Sequence, residues 1–282
     1  MNNSKKKYIL ISAGGTAGHV LPAIEVAKEF YSRGYLVSFF TDSRMYNNIK
    51  SKPNFINGEI KLFSIKGRGI DKTNIFKNII TLILMTIGIF QSFSRLIFIR
   101  PVIAIGFGGY ITVPVLFACY IFRVKIFIHE GNAILGKANK LLYKISKNLM
   151  THFSEIKNID KEKVNYCFVG MPVRPEILDL YKLNYKMDKT INLLITGGSL
   201  GAGVMSLNIA QAIIRFPKDL KLRLRIVQQV RKEHIKELRN IYDRNGIKAE
   251  LHIFINDMAK YLKWSNIVIC RCGASTIAEN LI

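Results

Sequence analysis

Negative charge is what this sequence has least of: 19 Asp and Glu stand against 42 Lys and Arg, a formal net charge of +23 at pH 7. Such a balance points to anionic partners, whether nucleic acid, phosphorylated substrates or an anionic membrane surface. Part of it is compositional, since Lys, Ile and Asn are frequent throughout. An arginine-rich tail and an aromatic RNA-binding signature are both missing, which sets nucleic acid aside as a partner. Cysteine is scarce too, and of Cys119, Cys167, Cys270 and Cys272 only the last two are close. Their C-x-C spacing matches neither a zinc knuckle nor a redox pair, so incidental thiols in a reducing compartment are expected. No D-x-D, H-x-x-H or C-x-x-C arrangement is present. No metal or cofactor is therefore expected. Lys5-Lys6-Lys7 before Tyr8–Ser12 imitates a signal peptide, but glycines end the apolar run too soon.

What is present is glycine at strand ends. Ile9–Ser12 runs into Ala13-Gly14-Gly15-Thr16-Ala17-Gly18-His19 and then a helical pattern over Val20–Arg33, which reads as strand, phosphate-sized loop and helix. An imidazole at the mouth of such a loop accepts a proton near neutral pH. A dinucleotide fingerprint would need G-x-G-x-x-G and an acidic residue about 20 positions on. The glycine spacing here fails that test, although Asp42 stands where the acid would.

Further strands are expected at Tyr35–Phe40, Ile60–Ile65, Pro101–Ile105, Val124–Ile128, Leu149–Phe153 and Tyr166–Val169. Lys50–Ile60 reads as irregular. Lys66-Gly67-Arg68-Gly69 forms a basic turn, and Gly106–Tyr110 is a second glycine loop. Asn74–Phe98 is unusually apolar but is interrupted by Asn78, Gln91, Ser92, Ser94 and Arg95. It is expected as a long helix partly exposed to lipid, since a clean span needs ~18 apolar residues. The expected helix Leu135–Ser146 carries Lys137, Lys140, Lys144 and, just beyond, Lys147 along one side. Such a row suits anionic lipid at roughly 1 kcal/mol per charge. The alternation of strand and helix implies a parallel sheet covered on both faces.

The pattern then restarts. After the polar stretch Leu178–Lys189 come the strand Ile191–Thr196, the loop Gly197–Gly203 and the helix Val204–Phe216. Leu222–Val227, Leu251–Phe254 and Ile267–Ile269 read as strands, and Arg231–Asp243 and Met258–Trp264 as helices. Ser275 is expected to cap a last helix, leaving N–H groups for an anion and Glu279 one turn in. The organisation is thus α/β, with a domain over 1–175, a linker over 176–190 and a second domain over 191–282. Their ligand-facing loops are expected to meet across a cleft.

Ala13–His19, Gly106–Tyr110, His129-Glu130-Gly131-Asn132, Gly170–Arg174, Gly197–Gly203, Asn256-Asp257-Met258-Ala259 and Cys270–Glu279 occur together in an order that resembles the MurG family of peptidoglycan glycosyltransferases. The resemblance covers essentially the whole chain. It implies a GT-B fold of two Rossmann-like domains. It also implies transfer of N-acetylglucosamine from UDP-N-acetylglucosamine to lipid I, the undecaprenyl-diphosphate-linked N-acetylmuramoyl-pentapeptide, giving lipid II. Peripheral attachment to the cytoplasmic face of the cell membrane follows, with other cell-wall synthesis and division proteins as possible partners.

Carried over by position, Thr16, Ala17, Gly18 and Asn132 match contacts on the donor's sugar side. Arg174, Ser199, Ile255 and Ala274, Ser275, Thr276, Ile277, Ala278 and Glu279 match positions holding uridine and diphosphate. His19 matches the proposed general base. Arg68 and Tyr110, with Lys137, Lys140, Lys144 and Lys147, are candidates for acceptor or membrane contact. Two positions depart from the family: Ala17 replaces a glycine, which is tolerable only at negative φ, and Gly131 replaces a glutamine. The family also continues past Ile282. The second domain is therefore expected to be incomplete and loosely held, with an inactive remnant that only binds membrane or division partners as the alternative to an active transferase.

Overall fold

The computed structural model describes residues 6–69, 75–157, 159–160, 162, 164–182, 189–197 and 203–282. Two compact units divide the chain, Met1–Pro172 and Val173–Ile282.

Unit 1 is a seven-stranded parallel sheet. Its strands are β1 (Tyr8–Ser12), β2 (Leu36–Thr41), β3 (Ile60–Ser64), β4 (Ile103–Gly106), β5 (Lys125–Glu130), β6 (Asn148–Thr151) and β7 (Asn165–Phe168), in the order β3-β2-β1-β4-β5-β6-β7. A parallel strand buried on both faces is apolar at every position, and β1 shows why. Ile9 and Ile11 enter one core beneath helix α1 (Ala17–Ser32), while Leu10 enters the opposite core. That second core is covered by α4 (Ile75–Ile99), α5 (Thr112–Ile121) and α6 (Lys137–Leu142). The chain leaves β1 towards β2 and β3 and then returns to place β4 on the other side of β1. The ligand crevice of an open α/β sheet lies at such a reversal, at the carboxyl ends of the strands.

Two expectations for unit 1 need correction. Residues before and within the stretch read as irregular form α2 (Ser43–Ile49) and α3 (Pro53–Ile56). The first is capped by Asp42, whose Oδ1 accepts the Met45 N–H at 3.0 Å, and the second starts on Pro53. The lysine-bearing helix stops at Leu142, so Lys137 and Lys140 lie on α6 while Lys144 and Lys147 lie beyond it, all four exposed. The stop has a cause: Ser146 Oγ donates to the Ile126 carbonyl at 3.0 Å, and β6 must begin at Asn148 in extended backbone. The row is therefore not one helical face.

The long apolar helix α4 packs on α5, and its inward side mixes small and polar residues with Phe93, Leu96 and Ile99. Thr81, Ser92 and Leu96 are buried, and Gly88 backs onto the Lys66 carbonyl. Phe76, Ile79, Leu82, Ile83, Phe90 and Phe98 point outward and are exposed. A water-soluble helix has the opposite polarity. Among the described residues this is one helix long and apolar enough to cross a membrane, with 22% of the most apolar window buried.

Unit 2 is a four-stranded parallel sheet of β8 (Ile191–Thr196), β9 (Leu224–Gln229), β10 (Lys248–His252) and β11 (Ile267–Cys270), ordered β10-β9-β8-β11. Helices α8 (Gly203–Ile213) and α10 (Ile235–Arg244) cover one face. On the other, α11 (Met258–Trp264) packs over Leu194, Val227 and Ile255. The start of the polar stretch is helical, with α7 (Pro175–Leu178) followed by a 3-10 turn over Asp179–Lys182. Residues 218–223, partly read as strand, form α9 (Lys218–Arg223), and the strand begins only at Leu224. The last helix, α12, spans Ala274–Asn280.

Candidate active site

In unit 1 the loops after β1 and β4 meet at the reversal of the sheet. The Gly14 N–H donates to the Gly108 carbonyl at 3.2 Å, and the Phe107 N–H to the Ser12 carbonyl at 2.8 Å. Gly108, at φ +98, lies flat against His19: a Cβ there would fall 3.1 Å from His19 Cδ2 and 3.2 Å from Nε2. The absence of a side chain at that position leaves the imidazole its place.

His19 sits in the first turn of α1, half-buried. Its Nδ1 lies 3.2 Å from the Gly14 carbonyl and 3.3 Å from Thr16 Oγ1. A carbonyl only accepts, so Nδ1 carries the proton and Nε2 presents its lone pair. Burial lowers the His19 pKa below the ordinary imidazole value, against smaller upward contributions from the Gly14 carbonyl and Glu130. The ring is consequently neutral, and competent as a base, at pH 7.

Thr16 is the N-cap of α1 in extended backbone, and Ala17 and Gly18 open the helix. Ala17 keeps a negative φ, since Arg100 and Arg123 are the non-glycine residues at positive φ among those described, so its methyl is unstrained. The first-turn N–H groups of a helix have no partner within it. Asp42 is not available to a ribose: its Oδ2 accepts the Gly15 N–H at 2.7 Å while its Oδ1 caps α2. The residue that imitates a dinucleotide fingerprint is committed to the loop itself.

Asn132 is exposed at the end of β5, held by a carboxylate to which the motif alone assigns no role. Glu130 is 2% exposed and accepts four hydrogen bonds. Oε1 takes the Asn132 N–H and Asn132 Nδ2, both at 2.9 Å, and Oε2 takes the Gly136 N–H at 2.8 Å and Asn139 Nδ2 at 2.9 Å. Four donors repay the desolvation of a buried carboxylate and fix the loop that carries Asn132. Beside it His129, also buried, stacks on Phe107 and pairs Nε2 with the Gly170 carbonyl at 3.0 Å. Tyr110 packs its ring against Gly69, next to the exposed Arg68. The basic turn is itself pinned to α4, through Lys66 N–H to Gln91 Oε1 at 2.9 Å and Thr81 Oγ1 to the Gly69 carbonyl at 3.2 Å.

In unit 2 the expected donor-side residues gather at the reversal between β8 and β11. Ser199 lies outside the described residues. Arg174 precedes α7 and donates to Glu279 Oε1 on α12 from Nε at 3.1 Å and Nη2 at 2.9 Å. Both side chains are about one-fifth exposed. Burial raises the Glu279 pKa, with Arg174 opposing and Glu176 adding to the rise. Glu279 Oε2 takes no part in that pair. Thr276 and Glu279 line a small pocket of about 50 Å³ with Thr196, Gln229 and Asn280. Ile255 is buried in the core with Leu194 and Val227, so it has only backbone to offer a ligand. Ser275 does not cap α12. The N-cap is Gly273, with no side-chain cap, and the helix begins two residues too early for Ser275 to serve as its N-cap. Ala278 is buried, Ile277 half-buried, and the first turn at Ala274 to Thr276 leaves its N–H groups without helical partners.

Residues 9–151 match the glycosyltransferase family 28 N-terminal domain and residues 192–282 its C-terminal domain. A UDP-N-acetylglucosamine–N-acetylmuramyl-(pentapeptide) pyrophosphoryl-undecaprenol N-acetylglucosamine transferase of Paramagnetospirillum magneticum is 36% identical over 98% of this chain and 74% of its own length. The protein of the same name from Rhodospirillum centenum is 34% identical over 96% of this chain and 71% of its own length. Among solved structures, Acinetobacter baumannii MurG superposes with a TM-score of 0.68 at 26% identity, covering 96% of this chain and 75% of that one. UDP-GlcNAc 2-epimerase from Neisseria meningitidis shares the fold, with a TM-score of 0.61 at 13% identity over 93% of this chain and 77% of the other.

Proposed function

The chain belongs to glycosyltransferase family 28, and from that premise we propose that it transfers N-acetylglucosamine from UDP-N-acetylglucosamine to lipid I, forming lipid II for peptidoglycan. The observation that carries the reading is His19: a neutral imidazole at the sheet reversal of unit 1, with Nδ1 tied to a carbonyl and Nε2 free. An α-linked donor that yields a β-linked product is attacked by the acceptor hydroxyl from the opposite side, and a base must take that hydroxyl's proton as the bond forms. His19 Nε2 is that base. Thr16, Ala17, Gly18 and Asn132 meet the sugar. Negative charge grows on the departing UDP, where Arg174 and the first turn of α12 stabilise it, and Glu279 Oε2 accepts from the ribose hydroxyls. Unit 1 then serves the acceptor and unit 2 the nucleotide.

The exposed apolar side of α4, with Arg68, Lys137, Lys140, Lys144 and Lys147, supports peripheral seating on the cytoplasmic face of the membrane. An inactive remnant is the less favoured reading, because the base and the Arg174–Glu279 pair are both retained. The test supplies labelled UDP-N-acetylglucosamine and lipid I in vesicles. Label should enter the lipid fraction, faster with anionic than with neutral vesicles. No transfer in either would overturn the proposal.

A further inference from the structure

The peptide between Gly14 and Gly15 is held from both sides. Asp42 Oδ2 accepts its N–H at 2.7 Å. Its carbonyl accepts from His19 Nδ1 at 3.2 Å and from the Thr16 N–H at 3.0 Å. A planar trans peptide points its N–H and C=O in opposite directions, so whatever fixes the one aims the other. Gly15 adopts φ +80, a conformation open to glycine, and Gly14 has no room for a side chain, since a Cβ would fall 2.7 Å from Asp42 Oδ2. The peptide after Gly15 is held by the same helix start, through Arg44 donating to the Gly15 carbonyl. Helix α2 thus grips the loop by both of its glycine peptides.

We infer that Asp42 is a positioning residue for His19, acting through one peptide bond. The inference rests on the reading of His19 as the base. In a Ser-His-Asp triad the acid holds the imidazole directly, fixing its tautomer and orientation. Here the carboxylate binds a peptide N–H, and the carbonyl of that peptide binds the imidazole. A charged acceptor polarises the amide, and hydrogen bonds in a chain strengthen one another. The Gly14 carbonyl thereby becomes a better acceptor for Nδ1–H, keeping Nε2 aimed outward and more basic. A second consequence concerns anions. The Gly15 N–H, a donor that a phosphate loop would offer, is occupied by a carboxylate and is not available to a diphosphate.

Asp42 also caps α2, and two variants separate the roles. Asp42→Ser retains a good N-cap but is too short to reach Gly15, whereas Asp42→Ala loses both. For Asp42→Ser we expect a melting temperature near that of the wild type, kcat lower by about tenfold and KM for UDP-N-acetylglucosamine within about twofold. By NMR, the Gly15 amide proton should move upfield and the titration midpoint of His19 should fall. Asp42→Ala should show the same changes with a lower melting temperature. An unchanged Gly15 amide and His19 titration in Asp42→Ser would overturn the inference, leaving Asp42 as a helix cap alone. If the wild-type chain transfers no sugar, the functional reading fails by itself, and the two NMR measurements still decide the role of Asp42.

Discussion

The two ligand edges are built on opposite plans. In unit 1 the groups around His19, the proposed base, are already satisfied by protein: Asp42 takes the Gly15 N–H, Gly108 the Gly14 N–H, and Glu130 three donors of the Asn132 loop and one from Asn139 on α6. In unit 2 the first turn of α12 is left open, and one Arg–Glu pair supplies the charge beside it. A base must be oriented before its substrate arrives, because its strength depends on a fixed tautomer and a desolvated ring. A nucleotide brings its own charges and completes the hydrogen bonds itself. On the proposed roles, the contrast is between a finished site and one that its ligand finishes.

Replacing the proposed base should break the finished side most severely. His19→Asn should lower turnover by ~10²-fold or more and leave UDP affinity within about twofold. Steady-state rates and calorimetric UDP titration on the same preparation check it, and turnover near the wild-type value would leave His19 as a structural residue of α1.

The open side should respond in affinity rather than in chemistry. Glu279→Ala and Arg174→Ala should each weaken UDP binding by about tenfold, the cost of leaving a charged hydrogen-bond partner unmatched, while vesicle binding stays unchanged. UDP titrations without loss in either variant would remove both residues from the nucleotide site.

A smaller effect sharpens the comparison through pH. Burial lowers the pKa of His19, His129 and His152, so the folded chain keeps them neutral where the unfolded chain takes up protons near 6.5. Their contribution is present above that value and is lost as pH falls through the folded pKa values. Glu279, raised by burial, has the opposite sign: its contribution is present below the ordinary carboxylate value and fades as pH rises through the raised one. Between pH 7 and 5 the melting midpoint of unit 1 should drop by on the order of 3 °C. Far-UV circular dichroism follows the whole chain, and Trp264, the single tryptophan, reports unit 2. A larger shift in the Trp264 signal than in the dichroism would refute the assignment of acid sensitivity to unit 1.

The amino-acid sequence by itself determined the two strand–glycine–helix restarts, the parallel α/β class and the placement of His19 directly after a glycine loop. These follow from local rules: an apolar run, a glycine turn and a 3.6-residue period name their own structure. The apolar character of α4 was equally legible. Which of its faces turned outward was not, since only tertiary packing showed that Thr81, Gly88 and Ser92 face in while Phe76, Phe90 and Phe98 face out. The lysine row failed for a related reason. Its spacing assumed a helix to Ser146, whereas the start of β6 stops it at Leu142. Asp42, Glu130 and the Arg174–Glu279 pair were decided by tertiary structure alone. Their partners lie 27 residues away for Asp42 and 105 for Arg174, and Glu130 owes its role to burial at the end of β5. A carboxylate acquires its function from the donors that surround it, and those donors converge only when the chain has folded.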